Sequence, residues 1–146
     1  MVALLDVNVL VALAWPTHVH HEIAQRWFSR NRQTGWATCP ATQAGFVRVL
    51  SNPAFSPDAL TPREAFAHLA SAVSVTGHVF WPDDTSLVGS RFLGESKLVG
   101  YRQVTDAHLL AVALRHRGAL VTLDRGGRSV IPRGFPDDVV RVLAEP

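Results

Sequence analysis

Short apolar segments alternate with amphipathic helical segments along the whole chain. Each apolar segment is only four or five residues long, and such runs are typical of strands buried on both faces of a sheet. A strand of that kind needs helices above and below it. The alternation therefore predicts an α/β fold, with a mostly parallel central sheet and helices on both faces. The predicted strands are Val2–Leu5, Trp36–Cys39, His78–Trp81, Ala119–Leu123 and Val139–Leu143.

The segments between the predicted strands carry helix start and stop signals. Thr61 is a capping residue, Pro62 occupies the first helical position and Glu64 the third, which predicts a helix that runs to about Val75. Thr105 is expected to cap a later helix and Gly118 to terminate it. The other predicted helices begin at about Asn8, at His20, at Pro40 or Thr42, and at Asp84 or Thr85, and they end at Ala14, Arg32, Leu50 and Leu93.

Length and composition indicate one folded domain over residues 1–146. Of the 146 residues, 47% are hydrophobic and 18% charged, which excludes the disordered and acidic-tail classes. The single cysteine, Cys39, excludes an internal disulfide framework and a cysteine-based zinc site, and it favours a reducing, cytoplasmic compartment. No apolar run reaches the roughly 18 residues that span a bilayer, and the apolar start lacks a basic region, so we expect neither membrane insertion nor export.

Three carboxylates are predicted to meet at one edge of the sheet. Asp6 follows the first predicted strand, Asp124 follows the fourth, and Asp106 lies at the start of the helix before the fourth. Ligands of parallel sheets bind at the carboxyl ends of the strands. Crowded carboxylates must take up protons or bind a cation, and oxygen ligands alone suit Mg²⁺ or Mn²⁺. Such an ion can activate water to attack a phosphodiester, so the pattern predicts a metal-dependent hydrolase.

Each acid also has a purely structural explanation. Asp6 could cap a helix, Asp106 could complement a helix dipole, and Asp124 lies in a turn sequence that favours Asp in any protein. Their joint placement supports the metal site more than any one of them does. The basic residues are equally open, because segments 22–48 and 101–133 carry net charges of +3 and +4. Their arginines could bind phosphate or simply cover solvated helix faces.

Three segments resemble the acidic motifs of PIN-domain ribonucleases. MVALLDVNVL at residues 1–10 resembles the opening strand of that family, TDAHLLA at residues 105–111 its third acidic motif, and LVTLDR at residues 120–125 its fourth. The length, order and spacing are similar to those of the VapC toxins of bacterial VapBC toxin–antitoxin pairs. The resemblance extends from Val2 to about Val142.

The resemblance implies a Mg²⁺- or Mn²⁺-dependent endoribonuclease that cuts particular tRNA or ribosomal RNA and arrests growth. It also implies a VapB-like antitoxin, a homodimer and a bacterial cytoplasmic location. Asp6 and Asp106 would be the principal metal ligands, and Asp124 would complete the site directly or through water. Hydrogen bonds from neighbouring side chains would orient these acids; the residues implied in that role are Asn8, Thr122 and Thr105.

One position departs from the family pattern. Gln43 stands where the second acid, normally Glu, is expected, so the site would hold three negative charges rather than four. This leaves open a catalytically weak or inactive PIN-like module that binds RNA or an antitoxin-like protein. A phosphoacceptor or phosphatase domain is a weaker alternative, because Asn8 replaces the second Asp that one such class needs. Arg125 and Arg128 flank the turn after the last acid and are the best candidates for RNA phosphate contacts.

Overall fold

The computed structural model describes residues 1–93 and 97–143 of the chain. Its centre is a five-stranded sheet in which every neighbouring pair of strands is parallel, in the order β3-β2-β1-β4-β5. The parallel sheet predicted from the alternation is thus confirmed. The strands are β1 Ala3–Leu5, β2 Trp36–Thr38, β3 His78–Phe80, β4 Ala119–Thr122 and β5 Val140–Val142.

Helices cover both faces of this sheet, as the sequence predicts. The helices are α1 Val7–Ala14, α2 His21–Asn31, α3 Pro40–Leu50, α4 Pro62–Val73 and α5 Gln103–Arg115. Successive side chains of a strand point to opposite faces. Ala3 and Leu5 accordingly pack into an apolar cluster with α1 to α4, whereas Leu4 packs into a second cluster with α5. In the described part of the chain, no helix combines the length and apolar character required to cross a membrane.

Local signals locate two helix starts. The backbone N–H of Glu64 donates to Thr61 Oγ1 at 3.2 Å, so the predicted cap of α4 is confirmed. The sequence left the cap of α1 open between Asn8, a neighbour and Asp6. Asp6 is the cap, because its Oδ1 accepts from the backbone N–H of Val7 at 2.7 Å and leaves the Asn8 side chain free for another strand.

The helix expected between Asp84 or Thr85 and Leu93 is absent from the described residues 81–93. Two acids that could have opened it bind α5 instead. Asp83 lies 2.9 Å from His108 Nε2, and Asp84 lies 2.9 Å from Arg115 Nε. The chain after β3 therefore packs on α5 without regular secondary structure, because these tertiary contacts outweigh the local helix signal.

Both ends of α5 differ from the prediction. The helix begins at Gln103, so Thr105 lies within its first turn and does not cap it. At the other end His116 is the cap and Arg117, with φ of 57°, takes the left-handed conformation that was expected of Gly118. Gly118 is needed for a different reason: a Cβ there would overlap the Trp81 ring and the carbonyl oxygen of Val2.

The left-handed Arg117 yields a stability prediction. A side chain in this conformation is strained and glycine is not, so Arg117→Gly should raise the free energy of unfolding by about 0.5–1 kcal/mol. Urea unfolding followed by circular dichroism measures the change. The control is Arg115→Gly in the last turn of α5, which should destabilise the protein by about 1 kcal/mol. A loss of stability in Arg117→Gly would contradict the assignment.

Candidate active site

The site lies where β1 and β4 end side by side at the centre of the sheet. Asp6 directly follows β1, and its backbone N–H donates to the carbonyl oxygen of Val121 at 2.9 Å. Capping α1 fixes the Asp6 carboxylate with one oxygen against the helix start. Only 7% of the residue is exposed. Asp6 thus performs the capping role that the sequence left open and still presents its second oxygen to the sheet edge.

The Thr122 hydroxyl joins the ends of the two strands. It donates to Asp6 Oδ2 at 2.7 Å, and it accepts from Asn8 Nδ2 at 3.3 Å and from the backbone N–H of Asp124 at 3.0 Å. Asn8 Oδ1 in turn accepts from the backbone N–H of Leu123 at 3.2 Å. Thr122 and Asn8 therefore contact the acids as an orienting role requires.

Asp106 is brought to the same place by the first turn of α5. It is buried, with 9% of its surface exposed. The pKa of Asp106 is raised to about 7. Burial is the largest cause, followed by the negative charge of Asp6 and by the interaction with Asp124. Burial also raises the pKa of Asp6, although hydrogen bonds from Thr122 and Val7 oppose that shift. The three predicted acids are thus close enough to influence one another's ionisation.

Asp124 is the exposed member of the group. Its Oδ1 accepts from the backbone N–H of Gly126 at 2.8 Å, which shapes the turn after β4. The residue therefore performs the turn role expected of Asp in this sequence. Asp124 also acts on the buried acid, because it contributes to the raised pKa of Asp106.

The donor set fits a magnesium-like ion bound by few protein ligands. In residues 1–93 and 97–143, no three His, Cys, Asp or Glu side chains surround one metal position as they stand. Mg²⁺ is usually held by one or two carboxylates and keeps several waters, so a closed set is not required. Asp6 and Asp106 are the two buried, oxygen-bearing and mutually repelling groups that such an ion would stabilise, with Asp124 at the rim.

Gln43 lies in the first turn of α3, just after the neighbouring strand β2. Its Nε2 donates to Thr38 Oγ1 at 3.0 Å, and Thr38 Oγ1 also lies 2.8 Å from His78 Nε2. The side chain that replaces the expected Glu is therefore engaged by a buried threonine. Sequence analysis missed Thr38 and His78. The available signal was a threonine at the end of β2, in the same place that Thr122 occupies in β4.

The remaining predicted residues are placed less favourably. Thr105 is exposed, and among the described residues no hydrogen bond joins its side chain to an acid. Arg125 is exposed directly beside Asp124. Arg128 is also exposed, but its Nε donates to the carbonyl oxygen of Val140 at 3.4 Å, toward the amino end of β5. Of the two arginines, Arg125 is the better placed to meet a ligand at the carboxylates.

Comparison with known proteins identifies the arrangement. The model of the PIN domain family matches residues 3–130, which include all three acids and Gln43. The chain belongs to the PIN-domain family. Membership in this family decides against a phosphoacceptor or phosphatase domain.

Similar curated proteins are VapC-type members of this family. The chain is 51% identical over 124 residues to ribonuclease VapC39 of Mycobacterium tuberculosis, covering 85% of this chain and 89% of that one. It is 52% identical over 124 residues to ribonuclease VapC38 of the same species, covering 85% and 86%. Ribonuclease VapC44 of that species is 45% identical over 125 residues, with 86% and 87% covered. The chain is therefore a VapC-type PIN-domain nuclease, and hence a hydrolase.

The raised pKa of Asp106 predicts how the metal-free VapC-type protein responds to pH. Between about pH 4 and pH 7 the folded state binds more protons at Asp106 than the unfolded state, so stability falls as the pH rises through that range. Asp106→Asn cannot ionise. We expect it to raise the melting temperature by roughly 3–8 °C at pH 8, and to change it little at pH 4.

Thermal unfolding in EDTA between pH 4 and pH 8 measures this effect. The matched control is Asp58→Asn, the same change at an exposed loop position outside the site. If the melting temperature of Asp106→Asn at pH 8 is no higher than that of the parent, the acids do not repel one another as the structure indicates.

Proposed function

We propose that this chain is the toxin of a VapBC-type pair, a Mg²⁺- or Mn²⁺-dependent endoribonuclease that cuts specific structured RNA and arrests growth. The observation that carries the proposal is the convergence of Asp6, Asp106 and Asp124 at the ends of β1 and β4, together with family membership. The RNA substrate follows from the relatives, which are named ribonucleases. tRNA and ribosomal RNA are the substrate classes that we propose.

Asp6 and Asp106 would hold the ion through their carboxylate oxygens. A divalent cation at this position supplies an activated water and charge stabilisation for the phosphodiester. Thr122 keeps Asp6 in one orientation through its 2.7 Å hydrogen bond, so this ligand is preorganised. Asp124, at the exposed rim, would orient water or contact the ion through it. Arg125 would meet a phosphate beside the cut, and Arg128 is the weaker candidate for such a contact.

Two partners complete the proposal. A VapB-like antitoxin would inhibit the enzyme, and two copies of the chain would form a homodimer. Both proposals rest on the VapC-type relatives.

Loss of activity on neutralising a buried acid is the central expectation. Purified protein incubated with total cellular RNA and Mn²⁺ or Mg²⁺ should produce discrete new 5′ ends, and EDTA should abolish them. Asp6→Asn and Asp106→Asn should each lower the cleavage rate by at least about 100-fold, because each removes a metal ligand, whereas Asp58→Asn should cleave normally. Mapping of 5′ ends by sequencing provides the measurement and identifies the RNA.

Absence of cleavage would support a second candidate function. Gln43 brings no charge, and its amide is engaged by Thr38. The protein would therefore be a PIN-like binding module if it is folded and binds RNA or an antitoxin-like partner, but does not cleave RNA in the presence of Mn²⁺ or Mg²⁺.

Gln43 itself provides a direct test of the charge argument. Gln43→Glu adds a fourth negative charge at the sheet edge, and the Thr38 hydroxyl can donate to the new carboxylate. Because affinity for hard cations rises with ligand charge, we expect Mn²⁺ to bind about 10-fold more tightly. Isothermal titration with Mn²⁺ measures the affinity.

The control for this variant is Gln33→Glu. Gln33 is exposed and precedes β2, so it places the same charge near the amino ends of the strands. Equal Mn²⁺ affinity in Gln43→Glu and the parent would show that the position acts through hydrogen bonding alone.

A further inference from the structure

Exposed apolar and aromatic residues directly precede the helix that carries Asp106. Val99, Tyr101 and Val104 leave 95%, 81% and 43% of their surfaces exposed around the start of α5. Asp106 lies in the first turn of this helix, so these residues are its near neighbours along the chain. We refer to Val99, Tyr101, Arg102 and Val104 as the Tyr101 surface.

Gln103 connects the Tyr101 surface to the segment that follows Asp124. Its Oε1 accepts from the backbone N–H groups of Val99 and Gly100 at 2.7 and 3.1 Å. Its Nε2 donates to Ser129 Oγ at 3.0 Å. Ser129 lies in the short 3₁₀ helix Gly127–Val130, which follows the Asp124 turn. One amide thus joins the loop that carries Tyr101 to the segment that carries an acid, so the loop is held in position before any ligand arrives.

Tyr101 presents an aromatic ring with its polar end already partnered. Arg102 Nε donates to the Tyr101 hydroxyl at 3.3 Å, and the guanidinium lies 5.8 Å from the ring centroid. The ring is otherwise open to solvent. Stacking of an unpaired base on tyrosine or on an arginine plane is the usual way in which proteins hold single-stranded RNA.

Charge favours RNA as the occupant. Two exposed arginines lie close to these residues along the chain: Arg102 is next to Tyr101, and Arg125 is next to Asp124. A phosphodiester placed at the acids would put the neighbouring nucleotide beside this aromatic and cationic surface.

We propose that Tyr101, backed by Arg102 and positioned by Gln103, stacks an unpaired base next to the bond that is cut, and thereby contributes to substrate selection. This inference rests on the proposed ribonuclease function. The Tyr101 surface would therefore bind an unpaired nucleotide, either in a loop or flipped out of a helix, and not duplex RNA.

The test pairs protein variants with abasic RNA. The substrate is an oligoribonucleotide that spans the mapped cut, and each nucleotide near the cut is replaced in turn by an abasic ribose. Tyr101→Ala should raise KM by roughly 5- to 100-fold, the range for one stacked base, whereas Tyr101→Phe should keep most of the affinity. One abasic position should raise the KM of the parent protein by a similar factor. The same abasic position should not raise the KM of Tyr101→Ala any further.

Two further variants separate this role from general effects. Phe66→Ala removes an exposed aromatic side chain from α4, outside the site, and should leave KM and the cleavage rate unchanged. Gln103→Ala should raise KM as Tyr101→Ala does, because it releases the loop, while the melting temperature shows that the fold is intact.

Binding measurements keep the inference separate from the proposed function. The Asp106→Asn chain, with and without Tyr101→Ala, is titrated with the same oligonucleotide, or with a random single-stranded RNA pool if no cut is mapped. Binding weakened by Tyr101→Ala supports the inference even where cleavage fails. Unchanged KM and unchanged binding in Tyr101→Ala overturn the inference while a metal-dependent cut upholds the ribonuclease. A chain that binds no RNA overturns both.

Discussion

The hydrogen bond from the Thr122 hydroxyl to Asp6 is the interaction on which the site depends. It links the ends of β1 and β4, whose parallel pairing is fixed by apolar contacts on both faces of the sheet. The same hydroxyl accepts from Asn8 and from the backbone of Asp124, so three segments distant in sequence share one buried oxygen. A hydroxyl that donates once and accepts twice uses its full hydrogen-bonding capacity, and this leaves Asp6 little freedom to turn.

Much of the fold and the position of the acids could be predicted from the sequence. Buried parallel strands are apolar throughout, so the chain itself shows where each strand ends and which polar residue follows it. The absent helix after β3 could not be predicted, because Asp83 and Asp84 satisfy helix-start rules equally well whether they cap a helix or pair with α5. Local patterns cannot distinguish those uses. The Gln103 contacts were missed for the same reason, since Ser129 is 26 residues away.

The sequence also could not show that the acids differ from one another. Asp6 receives hydrogen bonds from Thr122 and from the start of α1, which favour its charged form and oppose the effect of burial. Asp106 lies in the first turn of a helix, yet burial and the charges of Asp6 and Asp124 dominate its ionisation. Two residues of the same type therefore have different environments. Hydrogen bonds partly offset the effect of burial on the pKa of Asp6, whereas burial and the neighbouring acids act together to raise the pKa of Asp106 to about 7.

The crowding of the acids bears on the neutral residue at position 43. Like-charge repulsion from Asp6 and Asp124 already helps to raise the pKa of Asp106. A further carboxylate beside Thr38 would add to that repulsion in the metal-free protein, whereas the neutral amide donates to the buried threonine hydroxyl and adds none. The neutral amide at position 43 therefore adds no charge to the metal-free protein and satisfies the buried threonine. We propose that a glutamate at this position would gain cation affinity at a cost in stability of the metal-free fold.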